Sequence, residues 1–431
     1  MLRVVILYTL SSIIASPLLA QSSAKLRDRV SDLFRFGNCD GLLCLDGSIN
    51  AGTGHGDHFL PAFASGNAAI ISFITNAIGQ SVSNTPISAT SSGATFSFVG
   101  GLPVRTSTSA GPIFAERAQT LGRGKFFVGA NVSGAHFTTL NGVPADNLSL
   151  NFVHEDVSNA GTLGDPEFEN DVIDVTMGLD IDVLVTSVFM TYGITDFIDI
   201  GVALPFVRTS LKGSSEAQIM PFGSTAFHFF GGSIADPVLR AASSIDGSAT
   251  GIGDVAARIK INLGQSPKVG AALLGDVRFA TGDEEDLLGA GDASGRALAV
   301  VSAQFGAFAP HLNAGYVVRA ANEQNDAALA TIGFDNLMTS WATLAFDVLT
   351  EWQIGADKNS LPGPITYDQP FRREVQSSPI VERRANIVNA SVGMKFTLRG
   401  GTVLVTNAIF PLTETGLQPD VVWTAGLEYN F

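Results

Sequence analysis

The chain ends in Trp423-Thr424-Ala425-Gly426-Leu427-Glu428-Tyr429-Asn430-Phe431. Counting back in twos gives Phe431, Tyr429, Leu427, Ala425 and Trp423, with Asn430, Glu428, Gly426 and Thr424 between them. Successive side chains of a strand point to opposite faces, so this is a strand with one apolar face and one polar or small face. Such a strand suits a barrel wall facing lipid, or the half-buried last strand of a soluble β protein. The rest of the sequence decides between them.

A stripe that finishes on Phe resembles the signal that outer-membrane β-barrels present to the barrel-assembly machinery. The other end points to export. Met1 to Ala20 carries one early charge (Arg3), an apolar run from Val4 to Ala15, and a small residue before Gln21. This is the pattern of a secretory signal peptide over residues 1–20, too short and wrongly flanked for a spanning helix. Leu18 is a less usual residue at the third position before the cut, and no Cys follows to take a lipid anchor. Cleavage removes one positive charge and moves the net charge from −15 to −16. An acidic exported chain argues against nucleic acid as a partner.

Composition agrees with a membrane wall made of strands. The sequence is 45% hydrophobic and 15% charged, against a usual charged share of about 25%. Yet no stretch after residue 20 reaches the roughly 18 apolar residues of a membrane helix. Apolarity dispersed as alternation, with 46 Gly, is what a barrel with a lipid-facing exterior requires. The only cysteines, Cys39 and Cys44 in CDGLLC, predict a disulfide closing a small loop in an oxidising compartment. Chain entropy would give it roughly 2 kcal/mol at most. A metal site is the alternative reading, for which two thiols are two ligands short of a closed zinc site.

Two regions differ in texture. Residues 21–124 are irregular and plug-like, with an amphipathic helix predicted at about 24–36 (Leu26, Val30, Leu33 and Phe34 on one face) and an apolar helical stretch near 67–78. Residues 125–431 are a succession of alternating strands. Short turns are read at Thr195-Asp196, Gly264 to Pro267, Ala307 to Pro310, Asp335-Asn336 and Arg399 to Gly401. Longer polar connections lie near 139–170, 213–250, 283–293, 320–325, 356–382 and 413–419. Short and long alternate strictly, as in outer-membrane barrels with short periplasmic turns and longer outer loops. The expectation is an all-β, antiparallel transmembrane barrel of about twelve strands with an irregular, partly helical plug. Fourteen strands follow if Val172 to Ile194 is a hairpin rather than one long strand with a bulge near Thr186.

The location of charge sets the register. Val255, Ala257, Ile259, Ile261 and Leu263 oppose Asp254, Arg258, Lys260 and Asn262. Val269, Ala271, Leu273, Val277 and Phe279 oppose Lys268, Asp276 and Arg278, and Leu344, Phe346, Val348, Trp352 and Ile354 oppose Asp347, Glu351 and Gln353. In 171–183, Ile173, Val175, Met177, Leu179 and Ile181 oppose Asp174, Asp180 and Asp182. Lys or Arg at the lipid midplane costs roughly 2–4 kcal/mol, and none of these apolar stripes holds a charge. The polar faces then line a wet lumen, placing Asp174, Asp199, Asp254, Arg258, Lys260, Asp276, Arg278, Asp347 and Glu351 inside.

Two stretches carry a resemblance: GPIFAERAQTLGRGKFFVGANVS (Gly111 to Ser133) and TYGITDFIDIGVALPFV (Thr191 to Val207). With them the chain resembles FadL-type outer-membrane transporters of hydrophobic compounds, and in texture their branch associated with the meta-pathway of phenol degradation. YGITDFIDIGVALP matches best; the likeness covers roughly 112–431 and is weaker over 21–111. It implies passive uptake of small aromatic or fatty-acid-like compounds through a barrel plugged by an N-terminal segment, with no cofactor. The segment before the barrel does not align to a known hatch, so the substrate class rests on analogy at fold level.

Other residues have two readings each. Phe96, Phe98, Leu102, Ile113 and Phe114, in a Gly- and Ser-rich stretch, either line a ligand pocket or pack the plug on the wall. Arg117 and Arg123 either anchor the plug on lumen acids such as Asp174 or Asp199, or form a solvated face. The acidic runs Asp165, Glu167, Glu169, Asp171 and Asp283, Glu284, Glu285, Asp286 either bind divalent ions shared with lipopolysaccharide or are solvated. His55, Asp57 and His58 are metal-capable but lie in a glycine-rich stretch, and no metal is assigned. A lipid hydrolase would use His136 or His154, with Asp156 and Ser149 near in sequence, yet no triad arrangement is recognisable. An adhesion barrel would use the long loops, including Arg372, Arg373, Glu374, Glu382, Arg383 and Arg384.

Overall fold

A computed structural model describes residues 25–36, 41–45, 56–62, 64–83, 96–99, 102–105, 110–159, 163–165, 169–223, 226–266, 268–320, 324–398 and 401–430. The expected signal peptide, Cys39 and His55 lie outside the described residues. Twelve antiparallel strands close into a barrel. They are β1 (Phe126–Leu140), β2 (Val172–Gly193), β3 (Ile198–Met220), β4 (Ala256–Gln265), β5 (Val269–Arg278) and β6 (Ser294–Ala303). Then follow β7 (Phe308–Arg319), β8 (Ala327–Thr339), β9 (Ala342–Gln353), β10 (Ile387–Thr397), β11 (Thr402–Pro411) and β12 (Leu417–Asn430). β1 pairs with β2 on one side and with β12 on the other, so the sheet has no edge at the seam. Closure satisfies the backbone N–H and C=O groups that lipid cannot.

β2 is one continuous strand, in unbroken register with β3 from Val172 opposite Met220 to Gly193 opposite Asp199. This settles twelve strands over fourteen and removes the bulge read near Thr186. A second correction concerns Asp335-Asn336. The pair has turn chemistry, yet it lies inside β8, and the chain reverses only further on, between Thr339 and Ala342. The segment 213–250 is only partly a connection, because β3 runs to Met220 and a further strand, Arg240–Ile252, pairs with its upper part, leaving 221–239 between them.

The outward residues of the wall form an apolar belt. Val188 and Met190 on β2, Ile200, Val202 and Phe206 on β3, Leu273 and Val277 on β5, and Trp423 and Leu427 on β12 are all exposed. Within the belt no outward position of the twelve strands carries Lys, Arg, Asp or Glu. Aromatic residues mark both margins, with Phe126, Phe197, Phe305, Phe308, Trp341 and Tyr429 at the short-turn end and Phe206, Phe279, Trp352, Phe410 and Trp423 at the long-loop end. A charge-free belt between aromatic girdles is the exterior of a barrel that spans a membrane. Trp423 lies flat over Gly134 on β1, where any Cβ would stand 2.6 Å from the indole. A glycine is required there.

β2 and β3 are taller than the belt. Together with Leu148–Val153 and Arg240–Ile252 they form a four-stranded crown above it. At Leu184 and Phe206 the outward face is still apolar, and beyond them it carries Asp182 and Asp180 on β2 and Arg208 and Lys212 on β3. The inward face inverts the other way, from Ser187 and Thr191 in the belt to Ile173, Val175, Met177, Leu179 and Ile181 in the crown. The expectation that Asp174 faces the lumen is therefore corrected. It stands on the outward face of the crown, opposite in phase to buried Ile173 and Val175. Alternation persists along the strand, but water and protein have exchanged sides.

The N-terminal helices fill the crown. α1 (Leu26–Asp32) and α2 (Ser65–Ser83) bury Leu26, Val30, Ile70, Ile74 and Ile78 in one cluster with Phe152, Met177, Leu211 and Ile219. The apolar positions of α2 recur at helical spacing, and its 19 residues include no Lys, Arg, Asp or Glu. Orphan carbonyls just before and after the end of α1 find crown hydroxyls: Ser243 donates to Asp32 O and Ser215 to Leu33 O. Lys25 bridges Asp283 and Asp286 at 2.6 and 2.7 Å, so these two acids of the second run grip the start of α1. Hydrogen bonds to the two acids hold the Lys25 ammonium above its usual range, and the bond from Lys25 holds Asp283 below its own.

Candidate functional site

The segment read as one plug occupies two places. α1 and α2 sit at the long-loop end, whereas residues 110–124 run through the lumen at the short-turn end. This strut is hung by its backbone on wall side chains. Ala110 N–H donates to Thr343, Glu116 N–H to Asn313, Ala118 N–H to Ser302 and Leu121 N–H to Asp199. In return Asn313 donates to Glu116 O, Asn262 to Ala118 O, and Lys260 to Arg117 O and Gln119 O. An irregular backbone inside a barrel must be satisfied residue by residue. The polar inward face of the strands does this.

Two charged groups of the strut penetrate the wall network. Arg117 makes a bidentate pair with buried Asp335, and His311 lies next to it, bonded to Asp347 at 2.6 Å. Glu116 receives Arg258 at 2.7 Å and Lys260 at 2.9 Å, and Arg258 also reaches Asp276 at 3.2 Å. Low local dielectric makes these pairs strong and makes a lone member costly. Arg123 plays a different part, exposed at the short-turn end, where its backbone N–H donates to Asp196.

Beyond the strut lies a cavity of about 270 Å³. Its apolar lining includes Phe114 of the strut with Leu298, Val317, Leu329 and Leu349. Its charged lining has Arg258, Arg278, Arg296 and Arg319 against Glu116, Asp276 and Glu351. Arg319 is bonded to Glu351 at 2.8 Å, and Arg296 approaches Asp276 at 3.5 Å. Four guanidiniums thus face three carboxylates in a chain whose net charge is −15. Apolar and charged side chains interleave on the same wall, with Arg296 opposite Val317 and Leu329 opposite Glu351.

The residues singled out from sequence distribute as follows. Asp199, Arg258, Lys260, Asp276, Arg278, Asp347 and Glu351 face the lumen. Asp254 lies at the break between Arg240–Ile252 and β4 and accepts N–H bonds from Gly282 and Ala290, holding a loop. Phe114 lines the cavity, while Ile113 is packed with Ala110, Ala345, Val403 and Val405 in the wall. Phe96 and Phe98 fall in a strand, Phe96–Val99, paired with Leu102–Arg105. Cys44 is buried and disulfide-bonded. Asp335 was hidden by its turn-like neighbour, although the position has the inward phase of Thr331 and Gly333.

His136 and His154 are not brought together. His136 faces outward just above the belt, 3.0 Å from Asp182, whereas His154 is buried beside His58. The first acidic run is structural where it is described. Glu169 is fully buried and takes the N–H groups of Ser158, Gly164 and Asp165. Arg373 is a clamp, its guanidinium 4.1 Å from the ring centre of Tyr367 and 4.6 Å from that of Phe222, bonded to Asn170.

No protein-family model matches the chain, and no curated sequence does. Among solved structures it is similar to an outer-membrane channel from Pseudomonas putida F1, at 13% identity over 73% of this chain and 98% of that one, with a TM-score of 0.41. It is also similar to a FadL homologue of Pseudomonas aeruginosa, at 9% identity over 71% and 89% with a TM-score of 0.30. A third likeness is to the toluene transporter TodX of P. putida, at 10% identity over 72% and 88% with a TM-score of 0.30. The twelve-stranded antiparallel barrel itself follows from the strand pairings of this chain.

Proposed function

We propose that the protein is an outer-membrane channel for passive uptake of small hydrophobic compounds, with acids of aromatic or fatty-acid type as the best-fitting class. One observation carries this reading: a lumen cavity whose apolar side chains are interleaved with an excess of guanidinium groups. An apolar body is removed from water against Leu298, Val317, Leu329 and Leu349, at about 25 cal/mol for each Å² buried. A carboxylate finds Arg296 or Arg319 by charge-assisted hydrogen bonds. The strut closes one end of the cavity, so passage requires the strut to shift or a side exit to open. No energy source is implied. On the same reading the final strand serves the barrel-assembly machinery, and the surroundings are outer-membrane lipid and lipopolysaccharide. His136, Asp180 and Asp182 then stand at the headgroup level.

The test is uptake of a labelled medium-chain fatty acid or an aromatic carboxylate into cells or proteoliposomes. Filling the cavity with Thr331→Trp is expected to reduce uptake at least tenfold while the barrel still folds, read as heat-modifiable mobility. Uptake by this variant equal to that of the unaltered protein would sink the proposal.

A further inference from the structure

The chain has six histidines, and three of them meet at one point of the crown. His58 comes from the N-terminal segment, His154 from the connection after β1, and His228 from the connection after β3. One ring nitrogen from each lies within 4.8 Å of the other two. His154 and His228 are each 1% exposed. Phe59 closes one side, with ring centres 5.4 Å from both of those imidazoles.

The far nitrogens are already committed to oxygen. His154 Nδ1 is 2.7 Å from the Glu155 carbonyl, and His228 Nδ1 is 2.7 Å from Asp171 Oδ2. An oxygen acceptor fixes the proton on Nδ1, which turns the lone pair of Nε2 inward in both rings. His58 Nδ1 faces His154 Nε2 at 2.6 Å, so it donates its proton there, and its own Nε2 is 3.5 Å from Glu155 Oε1. Moving that one proton from Nδ1 to Nε2 gives His58 a carboxylate partner as well and frees Nδ1. All three rings would then present a lone pair inward and an N–H outward to oxygen. Outer hydrogen bonds of this kind orient histidine ligands around a metal.

We propose that His58, His154 and His228 form a binding site for a divalent first-row transition metal, Zn2+ foremost, that clamps the N-terminal cap onto two crown loops. Imidazole is a preferred donor for zinc, nickel and copper, whereas calcium and magnesium take oxygen. Tetrahedral zinc with bonds of 2.0–2.1 Å sets nitrogen atoms about 3.4 Å apart. The 2.6 Å contact has to open by about 0.8 Å, and the longer separations, at most 4.8 Å, to close by no more than about 1.4 Å. Three protein ligands leave a fourth position for water. The outer clusters do not compete, since His136, Asp180 and Asp182 are all exposed and offer a single imidazole.

The experiment uses the full chain folded in detergent, stripped with chelator and dialysed. Metal analysis after Zn2+ is expected to give one ion per chain, with a higher thermal midpoint and slower proteolysis of the N-terminal segment. Co2+ is expected to give the visible absorption of a tetrahedral site. His154→Asn and His228→Asn should each lose the ion, Asp171→Asn should weaken binding 10- to 100-fold by releasing its ring, and His136→Asn should leave it unchanged. Absence of tetrahedral cobalt absorption in the unaltered protein would overturn the proposal. So would loss of the ion on His136→Asn alone, or equal retention by the His154 and His228 variants. The cobalt readout needs no variant, so a variant that fails to fold does not shelter the idea.

Discussion

β2 and β3 each pass through two interiors, and the same alternation means opposite things in them. In the belt their outward residues are Val188, Met190, Val202 and Phe206, and their inward ones are Ser187, Thr191 and Asp199. In the crown the outward residues are Asp180, Asp182, Arg208 and Lys212, and the inward ones are Ile173, Met177 and Leu211. Lipid outside demands a wet or ion-paired inside filled by the polar strut. Water outside allows an apolar inside, and the helices fill it. The crown is thus built as a soluble sheet-and-helix domain on two strands borrowed from a membrane wall. Belt and crown should differ in which kind of damage each tolerates.

The largest expected effect is on the strut. Arg117→Ala leaves Asp335 buried without its bidentate partner, and breaking such a pair costs about 3–5 kcal/mol. The double change Arg117→Leu with Asp335→Leu should recover most of that loss, because the pair is replaced by apolar volume. Urea or thermal unfolding of the purified barrel, followed as loss of heat-modifiable mobility, reads both. A double variant no better than the single one would show that the pair does not hold the strut. In the crown the matching lesion is Phe34→Ala, which removes a fully buried ring stacked edge-on to Phe152 at 5.6 Å. A cost of about 3–5 kcal/mol is expected. It should appear as faster proteolysis of the helices with the barrel intact, whereas Arg117→Ala should leave the helices protected.

A smaller and sharper contrast puts one charge at two heights of β2. Val188→Arg places a cation in the belt and should cost about 2–4 kcal/mol. Asp182→Arg, three outward positions higher, should stay within about 0.5 kcal/mol, as surface changes do. Equal costs measured by unfolding from detergent or lipid would mean that the apolar margin at Leu184 and Phe206 is not the edge of the membrane.

The belt was legible because it needs only a period of two and the absence of charge. That is why the stripes of β4, β5, β9 and β12 could be read correctly from residues alone. The crown was not legible for the same reason. Period and phase continue through Leu184 without a break, and nothing local in Asp174, Asp180 and Asp182 says that the solvent has moved to their side. Counting length could have hinted at it: β2 has 22 residues and β3 has 23, whereas a membrane strand needs about 9–11. Asp335 was lost to turn chemistry, which is a property of neighbours in sequence. Its role depends on Arg117, 218 positions away. Anchoring of the strut on lumen acids was one of two readings, and of the acids named Asp199 does hold it, through Leu121 N–H, while Arg117 pairs with Asp335 instead, since pairing across a lumen follows shear and tilt rather than spacing.

The last contrast is pH, where the two halves should separate most gently. Lys25 grips Asp283 and Asp286 at an exposed point, so the clasp fastening α1 to the crown is electrostatic while the packing beneath it is apolar. Asp283 has a lowered pKa in the folded protein, so its stabilising share is complete above the ordinary aspartate value of about 3.9 and is lost as pH falls through the lower folded one. Lys25 is raised, so its share is complete below the usual lysine value and lost only in strong alkali. Between those limits clipping of the N-terminal segment should not vary with pH. Below pH ~4 it should accelerate modestly, and Asp283→Asn should show the faster rate already at neutral pH with a flatter acid limb. An acid limb unchanged in that variant would move the effect from the clasp to the buried carboxylates of the strut, and the gentle pH response would then belong to the belt and not to the crown.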